Sequence, residues 1–141
     1  MNSSSLKIEN MMTSPVVTVE MDDTLALVKE IFDNTHFHHL AVLEEGSLYG
    51  VLSDRDLFKA ISPGVGTLAE SNLDRAALTR RAHQIMSRQP VVIEQDQDVR
   101  DALRLFEEHH VSCLPVVDAD QNLVGILTWR DLLQTMRALL A

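Results

Sequence analysis

The chain holds a single cysteine, Cys113, in 141 residues, so no disulfide can close within it, and a reducing compartment is the simple expectation. Positive charge is also scarce. Twelve Lys and Arg stand against 21 Asp and Glu, a formal net charge of −9, which argues against nucleic acid or an anionic membrane as the main partner, since both reward a basic face. No apolar run approaches the roughly 20 residues that a membrane-crossing helix needs. The opening residues, Met1 to Lys7, lack a hydrophobic signal core, and a cytoplasmic protein is expected. Catalytic signatures are missing as well: there is no Gly-x-Ser-x-Gly, no P-loop, no His-Glu-x-x-His and no Gly-x-Gly-x-x-Gly opening a helix. Asp54 and Asp56 lie close together without an obvious acid–base partner. Enzyme activity is therefore not expected.

What is present is a repeat. Gly50-Val51-Leu52-Ser53-Asp54-Arg55-Asp56-Leu57 returns as Gly125-Ile126-Leu127-Thr128-Trp129-Arg130-Asp131-Leu132. In each octet a short apolar run leads to a hydroxyl residue and then, three positions on, to Asp, which reads as strand, helix cap and helix. An offset of 74 pairs Met12 with Met86, Val17 with Val91, Phe32 with Phe106 and Val42 with Val116, and an offset of 75 pairs Leu48 with Leu123 and Asp56 with Asp131. The extra residue falls in turn-like sequence, Glu44-Glu45-Gly46-Ser47 or Asp118-Ala119-Asp120-Gln121-Asn122. A period near 75 is too long for a solenoid unit and fits two similar subdomains.

Each copy reads as β-α-β-β-α. A β-type segment (Pro15 to Val19; Pro90 to Ile93) leads to helix-start residues, Asp22-Asp23-Thr24 in one copy and Asp96 and Asp98 in the other, followed by amphipathic helices and apolar hairpins. The reading divides the chain into a frayed stretch 1–10, a first unit 11–61, a linker 62–85 and a second unit 86–141. Ser62-Pro63-Gly64-Val65-Gly66-Thr67 is the breaker-rich start of that linker. Ser71-Asn72-Leu73-Asp74 then begins a basic helix expected to run through Ala76, Ala77, Leu78, Ala82 and Ile85, as a solvated connector or as a lid or docking surface. Cys113, flanked by Leu114-Pro115-Val116-Val117, reads as a buried structural thiol.

The duplicated unit, the openings Met12-Thr13-Ser14-Pro15-Val16 and Met86-Ser87-Arg88-Gln89-Pro90-Val91, the strand Leu114-Pro115-Val116-Val117-Asp118 and the two octets together resemble a tandem CBS domain pair over residues 11–138. The resemblance implies an α/β fold of two pseudo-symmetric β-α-β-β-α units packed as one module with two clefts between its halves. It also implies a stand-alone regulatory role, with no obligatory cofactor and with AMP, ADP, ATP or S-adenosylmethionine as regulatory ligand. Leftover helix faces are expected to close a homodimer, with Leu57, Phe58, Leu133 and Met136 as interface candidates, and an unnamed protein partner reads the ligand state. The rival expectation is a constitutive protein-interaction module whose clefts stay empty.

The octet supports two roles. Ser53 with Asp56, and Thr128 with Asp131, form near relatives of the capping box that satisfies free N–H groups of a first helical turn. In CBS pairs the matching Asp accepts hydrogen bonds from both ribose hydroxyls, and the Ser or Thr lies against ribose or phosphate. Arg55 and Arg130 are either solvated surface residues or phosphate contacts in an otherwise acidic chain. His38 and His39 match positions where nucleotide-binding CBS proteins carry basic residues; partly buried structural histidines and a metal site are the other readings. The second copy has Ser112 and Cys113 there, so unequal clefts are expected. Ala41 departs from the family's usual Pro, and Trp129, the only Trp, is expected beside the cleft or a subunit interface.

Overall fold

The alternation of β-branched runs with helical periodicity produces two small sheets, each carrying its own helices. The computed structural model describes residues 6–61, 64–65, 67–68 and 70–141. In one sheet, β1 (Thr18–Glu20) runs parallel to β2 (His39–Glu44), which pairs antiparallel with β3 (Ser47–Ser53) and through it with the short β4 (Ser87–Arg88). The other sheet repeats this order with β5 (Ile93–Glu94), β6 (Cys113–Val117) and β7 (Leu123–Thr128). Helices α1 (Leu25–Asn34) and α5 (Val99–His109) connect the parallel strands. After the hairpins come α2 (Asp54–Ala60) and α6 (Trp129–Leu140), and between the repeats lie α3 (Asn72–Ala77) and α4 (Ala82–Ile85).

The two hairpins match the sequence reading, including the place of the extra residue. In the first, Glu45 and Gly46 both adopt positive φ (50° and 82°), the geometry of a tight two-residue turn, where Gly carries no steric cost. In the second, the Asp118 carboxylate accepts from the N–H groups of Asp120 and Asn122, both at 2.9 Å, and these bonds hold its acidity above that of an ordinary aspartate. Each hairpin carries a register shift at matched positions, Val42/Leu43 and Val116/Val117.

Contacts group the chain differently from the repeat period. One compact unit is Val17–Gln89; the other joins the described part of Met1–Val16 to Pro90–Ala141. The segment that precedes each repeat therefore packs with the other repeat. Ser87 and Arg88 form the edge of the first sheet beside Val51 and Gly50, and Thr13 bridges Ile126 through N–H to carbonyl bonds of 2.9 and 3.0 Å in both directions. The glycines of the octets permit this approach. A Cβ on Gly50 would lie 2.5 Å from Met86 Sδ and 2.8 Å from the Ser87 carbonyl oxygen, and one on Gly125 would collide with Met12.

Each unit has its own core. Val19, Leu25, Val28, Leu40, Val42, Leu52 and Leu57 fill the continuous unit, and Ile8, Ile93, Phe106, Leu114, Val116 and Leu127 fill the split one. Each large aliphatic side chain so buried contributes roughly 1.5–3 kcal/mol. Cys113 is buried as expected.

Three expectations are corrected. Residues 1–5 of the stretch expected to fray lie outside the described residues, but order begins before Met11: Ile8 is fully buried, and its N–H donates to the Gln97 carbonyl at 2.9 Å. One apolar side chain in a polar stretch is enough to anchor it. The linker helix ends at Ala77 instead of running to Ile85, because the carbonyls of Leu78 and Arg80 turn to accept the free N–H groups of Ala26 and Leu25 at the start of α1. Of the breaker-rich loop, Ser62, Pro63 and Gly66 lie outside the described residues. Finally, Leu57 is 1% exposed and belongs to the core, so it cannot serve an interface; Phe58 (65%), Leu133 (67%) and Met136 (58%) do lie on the surface.

Candidate functional site

The two octets become two strand-to-helix corners of the same construction. In the continuous unit, β3 ends at Ser53, whose extended backbone (φ −101°, ψ 163°) turns the chain into α2. Ser53 Oγ accepts from the Asp56 N–H at 3.1 Å, while Asp56 Oδ2 accepts from the Ser53 N–H at 2.8 Å and from Ser53 Oγ at 2.9 Å. The capping box is complete. Both of these donors reach Oδ2, and among the described residues no donor reaches Oδ1 of Asp56.

At the other corner, Thr128 caps α6 in the same way. Asp131 Oδ2 accepts from the Thr128 N–H at 2.8 Å and from Thr128 Oγ1 at 3.2 Å, and the Asp131 N–H donates back at 3.4 Å. Asp131 Oδ1 has a further partner, the hydroxyl of Thr13, at 2.9 Å across 118 residues of sequence. Asp131 is 8% exposed and is one of two buried charged residues among those described. Burial of a carboxylate is tolerated here because three hydrogen bonds, two from Thr128 and one from Thr13, satisfy it.

The basic candidates fall unevenly. Arg55 and Arg130 sit on the first turns of α2 and α6, both exposed, and neither forms an ion pair among the described residues. His38 and His39 lie at the start of β2, and register places His39 opposite Ser53. His38 Nδ1 meets Asp54 Oδ2 at 2.7 Å, and the Asp54 N–H donates to the His38 carbonyl at 3.0 Å, so this histidine is tied to the corner twice. Burial holds the pKa of the His39 imidazole below its ordinary value; His38 and Arg55 act in the same direction, while Asp54 and Asp56 oppose it. The Ser53, Asp54, Arg55 and Asp56 run and both histidines thus share one corner. In the split unit, Cys113 stands opposite Thr128 and brings no charge. No cluster of three metal-ligating side chains occurs among the described residues, nor is any described helix long and apolar enough to cross a membrane.

Trp129 packs within its own unit: its ring meets Phe106 edge-on at 6.3 Å and 86°, with 58% of the residue exposed. Two participants escaped the sequence reading. Thr13 was seen only as part of an opening motif, although the 74-residue offset pairs it with another hydroxyl residue, Ser87. Asp54 stands in the octet without an obvious partner, and its place next to His38 depends on strand register that the octet alone does not reveal.

A duplicated β-α-β-β-α unit with a carboxylate capping each final helix defines a class of paired regulatory domains. The chain belongs to the CBS domain family, whose description matches residues 8–63 and 82–138. A CBS domain-containing protein of Dictyostelium discoideum is 32% identical over 132 residues, covering 92% of this chain and 90% of that relative. Among solved structures, CBSX2 in complex with AMP is 25% identical with a TM-score of 0.76, covering 96% of this chain and 99% of that one. The cytosolic domain of the Mg2+ channel MgtE in complex with ATP is 28% identical with a TM-score of 0.70, covering 92% of this chain and 48% of the other. Two pseudo-symmetric CBS units are thus the fold of this protein, and pairs of this kind act in general as nucleotide-sensing regulatory modules.

Proposed function

We propose that this chain is a non-catalytic cytoplasmic sensor that binds adenosyl nucleotides of the AMP, ADP or ATP class, with S-adenosylmethionine as a further candidate, at its two strand-to-helix corners. The observation that carries the reading is the carboxylate built twice on a capped helix, Asp56 and Asp131. A ribose presents two neighbouring hydroxyl donors, and a carboxylate oriented by its own helix cap is placed to accept them. Capping and ligand binding are compatible, because the cap draws on Oδ2 in both units. Ser53 and Thr128 border the ribose. Arg55 and Arg130 supply local positive charge for phosphate in an acidic protein, and His38 and His39 add imidazole hydrogen-bonding groups in the continuous unit alone. That CBSX2 was solved with AMP and the MgtE domain with ATP supports the ligand class.

In this reading the exposed Phe58, Leu133 and Met136 pair with a second copy of the chain to form a homodimer, and a partner protein reads the change that ligand brings. Those same surfaces favour the second reading, a constitutive interaction module: the α6 face carrying Leu133, Met136 and Leu140 is exposed in the single chain.

Thermal melts with AMP, ADP, ATP, S-adenosylmethionine and NADH, on the unaltered protein and on Asp56→Ala and Asp131→Ala, decide between them. A ligand at about 100 times its dissociation constant adds about 2.7 kcal/mol, a shift of several degrees for a chain of this size. Stabilisation by one adenosyl compound that an Asp change abolishes is the expected result. No shift with any compound, in a folded dimer, overturns the sensor in favour of the constitutive module.

A further inference from the structure

The two corners differ in how much of the carboxylate is left for a ligand. An ionised aspartate offers about four acceptor positions, two on each oxygen. Asp56 uses two of them, both on Oδ2, for the Ser53 N–H and Ser53 Oγ. Asp131 uses the same two for Thr128 and a third, on Oδ1, for Thr13. A vicinal diol needs two acceptor positions. Asp56 can supply both from Oδ1 as it stands; Asp131 has one unless Thr13 lets go.

The residue at the position matching Thr13 is Ser87, which is exposed and whose hydroxyl makes no hydrogen bond to Asp56. The extra bond is therefore a property of Thr13 and its edge segment, not of the repeated octet. The segment is held in place independently of the hydroxyl, by the paired backbone bonds between Thr13 and Ile126 and by the Ser14 hydroxyl donating to the Val124 carbonyl at 3.0 Å. Thr13 is thus a fixed competitor, positioned by its backbone and presenting a hydroxyl where a ribose hydroxyl would otherwise donate.

We infer that Thr13 sets the order in which the two corners fill: it occupies an acceptor position of Asp131 that a ribose requires, so the Asp56 corner takes nucleoside first and the Asp131 corner binds only by displacing the Thr13 hydroxyl. This rests on the proposed ribose role of the two aspartates. It assigns to one threonine a share of the affinity gap between the two corners, acting in the same direction as the histidines that only the continuous unit carries.

The test is calorimetric titration of the full chain with AMP, comparing the unaltered protein with Thr13→Val, Thr13→Ser, Asp56→Ala and Asp131→Ala, each first checked for an unchanged melting curve in the absence of ligand or corrected for it. Two binding events are expected, the tighter lost in Asp56→Ala and the weaker in Asp131→Ala. Thr13→Val keeps the branched shape and the backbone bonds but removes the hydroxyl, and should strengthen the weaker event by about threefold to tenfold, the worth of one ordinary hydrogen bond. Thr13→Ser retains the hydroxyl and should leave it near its original value. If Thr13→Val leaves the weaker event unchanged or weakens it while the Asp variants still remove their events, the inference is overturned and Thr13 is an orienting or ligand-contacting residue. If AMP and the other adenosyl compounds give no heat with the unaltered protein, the nucleotide reading itself fails and takes this inference with it.

Discussion

Gly50→Ala adds one methyl group at a point where the structure has no room for it. The new Cβ would stand 2.5 Å from Met86 Sδ, 2.9 Å from Met86 Cγ and 2.8 Å from the Ser87 carbonyl oxygen. The thioether can swing aside, although Met86 is buried and its displacement disturbs the core formed by Leu52 and Leu57. The carbonyl is backbone, held in β4 by the pairing of Val51 with Ser87, and can move only by separating β4 from β3. Local propensity acts in the opposite direction: Gly in a strand interior is worse than Ala by about 0.5–1 kcal/mol, and Gly50 does not adopt positive φ, so on backbone grounds alone the change should stabilise. Overpacking costs about 1–3 kcal/mol and should win, for a net loss of about 0.5–2 kcal/mol and a melting temperature lowered by a few degrees. Urea titration with a fixed slope would measure it. Gly46→Ala is the contrast: nothing lies within 4 Å of its Cβ, but φ is +82°, so it loses about 1 kcal/mol through backbone strain without any clash. If Gly50→Ala proves as stable as the unaltered protein or more so, the close packing of the Met86 segment on β3 is refuted.

Two further results follow from burial. Leu57→Ala should cost about 2–5 kcal/mol, as expected for a core leucine, whereas Phe58→Ala one position along should leave unfolding at low concentration nearly unchanged and instead weaken self-association, read by light scattering over a dilution series; equal effects on stability would remove the distinction. His39 gives a pH dependence. Its folded-state value is depressed by burial below the unfolded value of about 6.5, so the unfolded chain binds the proton more readily, and stability present above pH 6.5 is lost as pH falls through the lower, folded value. His39→Gln should flatten the melting-temperature profile between pH 7 and 5, and an unchanged profile would show that burial of this imidazole contributes nothing.

Much of the site was legible because it is local. Ser53 with Asp56 and Thr128 with Asp131 are three residues apart, and a hydroxyl followed at that spacing by a carboxylate has few things to do except cap a helix, as both pairs do. The linker shows the opposite case. Residues 72–85 carry a helical pattern throughout, but the N-terminus of α1 needs acceptors, and the carbonyls of Leu78 and Arg80 provide them only by leaving the helix. Leu57 and Phe58 show a third: both are apolar and adjacent, and which faces inward depends on how α2 lies on its sheet.

By itself the amino-acid order determined the repeat, the β-α-β-β-α pattern of each copy, the turns and the helix caps, because each of these is set by backbone preferences and hydrogen bonds that reach only a few residues. Tertiary structure alone decided that each opening segment pairs with the other repeat, that Gly50 and Gly125 lie under Met86 and Met12, and that Thr13 reaches Asp131. Those contacts join residues far apart in the chain, where no periodicity records the pairing and only the fit of one packed surface against another selects it.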